Sequence, residues 1–494
     1  MTPIAPLATI ALDPTHSTPL YRQLYDQIRQ AILHGQIAPG TRLPATRALA
    51  HDLHVARNTV MAAFEQLLAE GYLQGRIGAG TFVTDTLPDD LIQPPATTIN
   101  HARPTSANRS LSERGRLLAS TPVRVIRDSG QPRAFLPGLP ALDAFPIELW
   151  SRLTTRRWRQ PALDLLAYGD AAGYRPLREA IAAYVGAARG VRCSADQVII
   201  VTGAQQALDL SGRVLLDPGD AAWVEDPGYL SGRGALHSAG ARIVPVPIDA
   251  DGLDVEAGIA RNPNARLIYV SPSHQYPLGV TMSLTRRLAL LEWAERAHAW
   301  VIEDDYDSEY RYAGRPLAAL HGLDQAGRVL YIGTFSKVLV PALRLGYLIV
   351  PPDLIDAFVA ARALLDRHSP TLEQAVLADF IVDGHFARHI RRMRALYAER
   401  QAALVEAAHK HLAGLLAIEP AATGLHLVGW LPAGVDDRIA AQRAAEHGVE
   451  APPLSAYAIE PLERGGLVLG YAAVDVRAIE HGVRRLAQAL GSTR

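Results

Sequence analysis

A single cysteine, Cys193, stands in a chain of 494 residues, so no internal disulfide can form and a reducing, cytoplasmic setting is expected. Long hydrophobic runs are missing too. No window approaches the roughly 20 apolar residues that a membrane span needs. The N-terminal stretch lacks a basic start followed by an apolar run, so no secretory signal is expected. Excess charge of one sign is absent: 49 basic residues oppose 50 acidic ones, for a net charge of −1. No global field therefore recruits nucleic acid or anionic membrane, and any contact with DNA has to come from a local site. Lysine is scarce, with only Lys337 and Lys410 in the whole sequence. Arginine stays protonated and is a poor nucleophile, whereas a desolvated lysine amine can lose its proton and condense with an aldehyde. A lysine kept where nearly every other positive charge is arginine is a candidate for covalent chemistry. The alternative is an ordinary surface charge.

What is present divides the chain. Its length exceeds one compact core, so two or three domains are expected. Residues 15–85 read as a small unit. Leu20, Leu24, Ile28 and Ile32 recur at helical spacing before Gly35. "ATRALAHDLHV" and "ARNTVMAAFEQLLAEG" read as two further helices, the second with Val60, Phe64 and Leu67 on one face, and "GYLQGRIGAGTFVTD" reads as two short strands around a glycine-rich turn. Three helices followed by a hairpin is the layout of a winged helix-turn-helix. Residues 86–133 read as a linker with scattered Pro, Ser, Thr and Asn. Its second half, 101–133, holds seven arginines against Glu113 and Asp128, and either is simply solvated or lies along DNA phosphates. From 134 to 494, β-rich runs alternate with helical ones, and several runs are continuously apolar, as in sheets covered on both faces. This predicts an α/β domain with a mostly parallel sheet, followed by a smaller C-terminal α+β lobe.

The chemical signals sit at strand ends, where open α/β sheets bind ligands. "VTGAQQALDL" runs strand, turn, helix, with Gly203 and Ala204 offering N–H groups at a helix N-terminus, which suits a phosphate. "EDPGY" presents the aromatic face of Tyr229. "EDDYDSEY" sets Glu303, Asp304 and Asp305 behind an apolar strand. Three such carboxylates are costly unless cationic or polar groups meet them, or else they form a solvated turn. "GTFSK" ends another strand with Thr334, Ser336 and Lys337, and Arg344 lies seven residues on. Together these specify a ligand with a phosphate, an aldehyde for Lys337, a flat ring for Tyr229 and a ring nitrogen for a carboxylate. That describes pyridoxal 5′-phosphate (PLP).

Residues 134–494 resemble the fold-type I aminotransferases in "GTFSKVLVPALRLGY", "IEDDYDSEYRY" and "EDPGY". Residues 15–85 resemble the GntR family of winged-helix regulators, and the join of both resembles the MocR subfamily of bacterial transcription regulators. The resemblance implies a multidomain fold: an N-terminal winged helix-turn-helix with a small β wing, then a C-terminal α/β PLP-dependent aminotransferase fold of type I. It implies that Lys337 is the lysine linked covalently to PLP, that Asp304 pairs with the pyridine nitrogen and Tyr306 with the ring hydroxyl, and that Tyr229 stacks on the ring. Gly203, Ala204, Thr334, Ser336 and Arg344 would hold the phosphate. Tyr168 matches a tyrosine that reaches the phosphate of the neighbouring subunit, which implies a homodimer. The "NPTG"-type loop reads "SPSHQYPLG" here, with His274 or Gln275 in place of its asparagine. No metal site is expected.

In a helix-turn-helix the second helix enters the major groove and its first residues touch base edges. Here those residues are Arg57, Asn58 and Thr59, while Val60 and Phe64 turn inward. Arg47 matches a DNA-contact position of the family. Gly78 and Gly80 would let the wing, with Arg76 at its base, approach a groove or the backbone. The expected partners are double-stranded operator DNA and an effector, either PLP or a PLP–amine adduct, with control of vitamin B6 or amino-compound metabolism. The rival reading is a working aminotransferase with an accessory DNA-binding domain. Such enzymes carry an arginine near the C-terminus that grips the substrate α-carboxylate. The matching positions here are Ala472 and Ala473, which leaves Arg464 or Arg233 as substitutes.

Overall fold

The computed structural model describes residues 10–76, 78–87, 110–121, 133–159, 163–314 and 318–491. The chain divides into two compact units, Met1–Ser110 and Leu111–Arg494. In the first, the stripe Leu24, Ile28, Ile32 is the buried face of α1 (Leu20–Leu33). The short α2 (Thr46–Asp52) precedes α3 (Arg57–Ala69), which buries Val60, Ala63, Phe64 and Leu67. Both apolar faces, with Leu43, Leu49, Tyr72 and Val83, make one core. Gly71 ends the α3 turn at φ +84°, and the chain enters a two-stranded antiparallel hairpin, β1 (Leu73–Arg76) and β2 (Gly80–Val83), with Leu73 opposite Val83 and Arg76 opposite Gly80. This is a winged helix-turn-helix.

Of the segment read as a linker, 88–109 and 122–132 lie outside the described residues, and with them most of the arginines of its basic half. Within 110–121 the backbone forms a helix, Glu113–Ser120. The Ser112 hydroxyl accepts from the N–H of Gly115 at 3.0 Å and supplies the N-cap that linker composition had masked.

The second unit is built on a mixed eight-stranded sheet: β3 (Val198–Val201), β4 (Ala221–Asp226), β5 (Arg242–Asp249), β6 (Gly252–Leu253), β7 (Leu267–Val270), β8 (Trp300–Asp305), β9 (Val329–Thr334) and β10 (Gly346–Ile349). Their order across the sheet is β3-β10-β9-β8-β7-β4-β5-β6. Strands β5, β4, β7, β8 and β9 run parallel, while β10 lies antiparallel between β9 and β3. The apolar runs do not alternate with polar residues because both faces are covered. Val198, Ile200, Tyr331, Tyr347 and Ile349 face one core, and Ile199, Val201, Leu330, Ile332 and Leu348 face the other. The smaller lobe carries a three-stranded antiparallel sheet, β11 (Ala417–Ile418), β12 (His426–Trp430) and β13 (Gly466–Gly470). Its long helices, His385–His411 and Val476–Gly491, share the core of the first sheet face. Among the described residues no helix is long and apolar enough to cross a membrane.

Candidate functional site

The C-terminal ends of β8 and β9, the turn after β3 and the chain around Tyr229 converge on a cavity of about 350 Å³. Gly203, Ala204, Tyr229, Asp304, Tyr306, Thr334, Ser336, Lys337 and Arg344 all line it. Residues far apart in the sequence are therefore brought together by sheet order alone. Gly203 is the N-cap of the helix Ala204–Leu215, at φ +132°. That conformation is one L side chains rarely adopt, and it lets the helix N-terminus face the cavity. A Cβ at Gly203 would also stand 3.5 Å from the Arg344 guanidinium. Arg344 itself adopts a left-handed conformation at φ +49°. The Ser336 N–H donates to the Thr334 hydroxyl at 3.2 Å, which winds the chain tightly just before Lys337.

Lys337 is half-buried, and its Nζ donates to the carbonyl of Gly138 at 2.5 Å. Gly138, at φ +89°, belongs to a loop that roofs the cavity with Leu136, Pro137 and Leu139. The sequence carried no chemical signal for this loop, since its contribution is backbone and apolar surface.

The three consecutive carboxylates prove to be buried strand residues of β8, not a solvated turn. Each meets polar partners, as burial requires. Glu303 accepts from the N–H groups of Leu320 and His321, each at 2.8 Å. Asp305 pairs with Arg189 at 2.7 Å and also accepts from the hydroxyls of Ser308 and Tyr331. Asp304 alone lines the cavity. Its Oδ2 accepts from the Tyr269 hydroxyl at 2.8 Å, and its Oδ1 is buried without a hydrogen-bond partner among the described residues. Burial pushes the Asp304 carboxyl up to about 7, against the pull of the Tyr269 hydrogen bond and the Lys337 charge. Tyr269 was not singled out in the sequence, because its role depends on β7 lying beside β8.

Tyr168 lies outside the cavity. It is 81% exposed, with the Arg367 guanidinium 4.7 Å from its ring centre. Neither His274 nor Gln275 lines the cavity, and both are buried behind it. Gln275 donates to the carbonyls of Pro227 (2.9 Å) and Tyr276 (2.8 Å), so it ties loops together. His274 packs next to Tyr306. The small lobe adds His426, on β12, and Tyr457 to the lining. The His426 Nε2–H donates to the Pro277 carbonyl at 2.9 Å, and burial pushes its imidazole down to about 3, so it is neutral. Ala472 is fully buried, and neither it nor Ala473, Arg233 or Arg464 lines the cavity. Arg464 instead donates to the Leu431 carbonyl at 2.6 Å. Among the described lining residues, the cations are Lys337 and Arg344.

In the first unit, Arg57 and Asn58 are exposed at the start of α3 and Thr59 is half-buried beside them. Arg47 is exposed in the first turn of α2. Gly78 and Gly80 occupy the wing turn at φ +74° and +112°. Arg76 stacks over Phe82 at 4.7 Å. The structure adds Arg42, whose guanidinium would stand 2.9 Å from a Cβ at Gly80. Nothing in the spacing of the sequence put Arg42 beside the wing; a bridge to Phe82 does.

Residues 20–83 match the gntR family of bacterial regulatory proteins, and residues 152–486 match the aminotransferase class I and II family. The chain is 44% identical over 482 residues to a Rhizobium meliloti protein named as the probable rhizopine catabolism regulatory protein MocR, covering 97% of this chain and 95% of that one. It is 33% identical over 392 residues to the pyridoxine biosynthesis transcriptional regulator PdxR of Corynebacterium glutamicum, covering 79% of each. Among solved structures, the α-aminoadipate aminotransferase LysN of Thermus thermophilus, complexed with N-(5′-phosphopyridoxyl)-L-leucine, is similar at a TM-score of 0.67 and 31% identity, over 72% of this chain and 92% of that one. The likeness to LysN covers 72% of this chain, while the likeness to MocR runs through 97% of it and includes the gntR-type residues 20–83, so the chain belongs to the MocR-type transcription regulators of the gntR family.

Proposed function

We propose that this regulator binds PLP in the strand-end cavity, that PLP is its effector, and that the winged helix reads operator DNA through Arg57 and Arg47. The observation that carries the cofactor reading is Asp304. A buried carboxylate oxygen without a partner costs roughly 1–3 kcal/mol, and among the described residues Asp304 Oδ1 is such an oxygen, on a residue that lines the same cavity as the Lys337 amine. A protonated pyridine nitrogen supplies the missing donor and favours the charged carboxylate that burial alone opposes. The residues present fit the rest of PLP. The N–H groups at Gly203 and Ala204, the hydroxyls of Thr334 and Ser336 and the Arg344 guanidinium suit its phosphate. Tyr229 offers an aromatic face and Tyr306 a hydroxyl for the ring oxygen.

Bound PLP would supply an aldehyde with which a primary amine condenses. Lys337 provides that amine, steered toward the cavity by the Gly138 carbonyl. Asp304 holds a proton at the pyridine nitrogen, and Tyr269 keeps Asp304 in place. The described lining residues offer an amino acid no arginine beyond Arg344, which the phosphate would occupy. That shortage favours PLP itself as the effector over an α-amino acid, and regulation over transamination. The relatives bracket the choice: the name of one refers to pyridoxine biosynthesis and that of the other to rhizopine catabolism.

The test measures operator affinity at fixed salt for the apo protein, the PLP form, and the PLP form with a panel of amino acids and amines. An effector must favour one state of the protein over another, so PLP alone should change operator affinity. Unchanged affinity with PLP and a strong effect of one amine would make the amine the effector and PLP only its detector. The PLP form should also show a visible absorbance band that Lys337→Ala abolishes. An unaltered spectrum in that variant overturns the role given to Lys337.

A further inference from the structure

His274 is buried, is absent from the cavity lining, and lies within hydrogen-bond distance of Tyr306, which lines it. Its Nδ1 lies 3.0 and 3.2 Å from the two carboxylate oxygens of Asp307 and 2.9 Å from the Tyr306 hydroxyl oxygen. An ionised carboxylate can only accept, so Nδ1 carries the ring proton. A nitrogen that carries a proton has no lone pair left to accept with. Tyr306 therefore cannot donate to His274. Its oxygen sits beside Nδ1–H as a second acceptor, and its own hydrogen is left for the cavity. The other ring nitrogen agrees with this tautomer: Nε2 is buried and has no hydrogen-bond partner among the described residues. An unpaired lone pair is tolerable there, whereas a buried N–H or an imidazolium without a partner is costly.

The seat of the ring is built to hold it. A Cβ at Gly424 would fall within van der Waals overlap of the imidazole, and one at Gly279 would stand 3.3 Å from Nε2. Both glycines have positive φ, +98° and +79°. Gly424 is pinned in turn: its carbonyl accepts from the hydroxyls of Tyr312 and Tyr471, each at 2.6 Å, and its N–H donates to the Tyr310 carbonyl at 2.9 Å.

We infer that His274 is the positioning residue for Tyr306: oriented by Asp307, it fixes the Tyr306 hydroxyl as a donor into the cavity, toward the ring oxygen of the cofactor. The inference rests on the PLP reading and deepens it. A hydrogen bond donated to that oxygen draws off negative charge that would otherwise hold the neighbouring cofactor proton. Removing the donor lets that proton persist to higher pH. Asp304, Glu225, Tyr276 and Lys337 also face this region, together with His426, which stays neutral and whose ring centre is 4.9 Å from that of His274. The comparison must therefore be made between variants that leave all of these in place.

The experiment is a spectrophotometric pH titration of the visible band in the PLP-loaded full-length protein. Loss of one charge-assisted hydrogen bond corresponds to about one pH unit. His274→Gln moves the donor nitrogen one bond too far and should raise the midpoint by about that much, whereas His274→Asn restores a donor at the Nδ1 position and should bring it back. Asp307→Asn, nearly isosteric, removes the charged acceptor that keeps the ring proton on Nδ1, which frees the Nδ1 lone pair to accept from the Tyr306 hydroxyl, so it should raise the midpoint as well. In a Tyr306→Phe background, which itself raises the midpoint, His274→Gln should add nothing. A midpoint in His274→Gln and Asp307→Asn indistinguishable from the wild type, or effects that add to Tyr306→Phe, would overturn the inference while leaving the PLP reading intact. A wild-type protein without the band would overturn the PLP reading, and this inference with it.

Discussion

Lys337 and Asp304 illustrate how much a single side chain owes to its surroundings. An exposed aspartate is a solubility residue, but Asp304 is buried at the end of a strand with one oxygen held by Tyr269 and the other without a partner among the described residues. Replacing it by asparagine removes the charge that a pyridinium would meet. The expected loss in PLP affinity is about tenfold, in line with the difference between charged and neutral hydrogen bonds, and titration of the apo protein with PLP measures it. An unchanged affinity would count against the pairing with the ring nitrogen. The same residue has a pH signature. Its folded-state pKa, about 7, is raised above the usual 3.8, so its favourable burial as a neutral acid is full below pH ~4 and is lost as pH rises through 7. A cofactor that pairs with the carboxylate relieves that loss. The gain in Tm on adding PLP should therefore be larger at pH 8 than at pH 5, and the difference should shrink in Asp304→Asn.

At the level of elements, α3 separates its two duties by face. Val60, Phe64 and Leu67 bind it into the core, and its exposed first turn presents Arg57 and Asn58. Among the described residues no side chain caps the helix start, since Ala56 occupies that position; the Thr59 N–H turns back to the Ala56 carbonyl at 2.9 Å, which leaves the N–H groups of Arg57 and Asn58 for solvent or a phosphate. Loss of one bidentate guanine contact costs roughly 1–3 kcal/mol. Arg57→Ala should thus weaken operator binding about tenfold or more and relax discrimination at one base pair of each half-site. A footprint and affinity equal to wild type at the same salt would argue against this role. These helices were legible because an amphipathic stripe is a local pattern. Arg42 was not, because only the folded hairpin brings it to the wing turn.

The whole molecule raises the question of a second copy. In the aminotransferase-like unit, Leu163, Leu166, Tyr168 and Leu364 are among the most exposed large apolar side chains, at 84, 59, 81 and 88%. Leu163, Leu166 and Tyr168 fall within one six-residue stretch, and neighbouring exposed apolar groups mark an association surface more often than a free one. Sedimentation should show a dimer. If Tyr168 reaches the phosphate of the other subunit, Tyr168→Ala should leave the dimer intact and weaken PLP retention about tenfold, the scale of one charge-assisted hydrogen bond. A monomeric protein that retains PLP as the wild type does would exclude the cross-subunit role.

Periodicity and turn chemistry, which are local, were enough to read three helices and a hairpin, the alternation of strands and helices, and a lysine kept among arginines. The quality of the carboxylates was not local. "EDD" looks the same as a solvated turn until β7 and β9 flank β8 and Arg189 and Tyr269 arrive from distant positions. Likewise, one loop could not tell His274 from Gln275 as the residue standing in place of the asparagine, and neither lines the cavity. The surroundings of the imidazole, Asp307, Tyr306 and Gly424, are assembled only when the two lobes pack. Sequence determines which groups are available. The sheet order and the lobe packing decide which are desolvated and which face one another, and desolvation is what turns an ordinary acid, lysine or histidine into a group with a task.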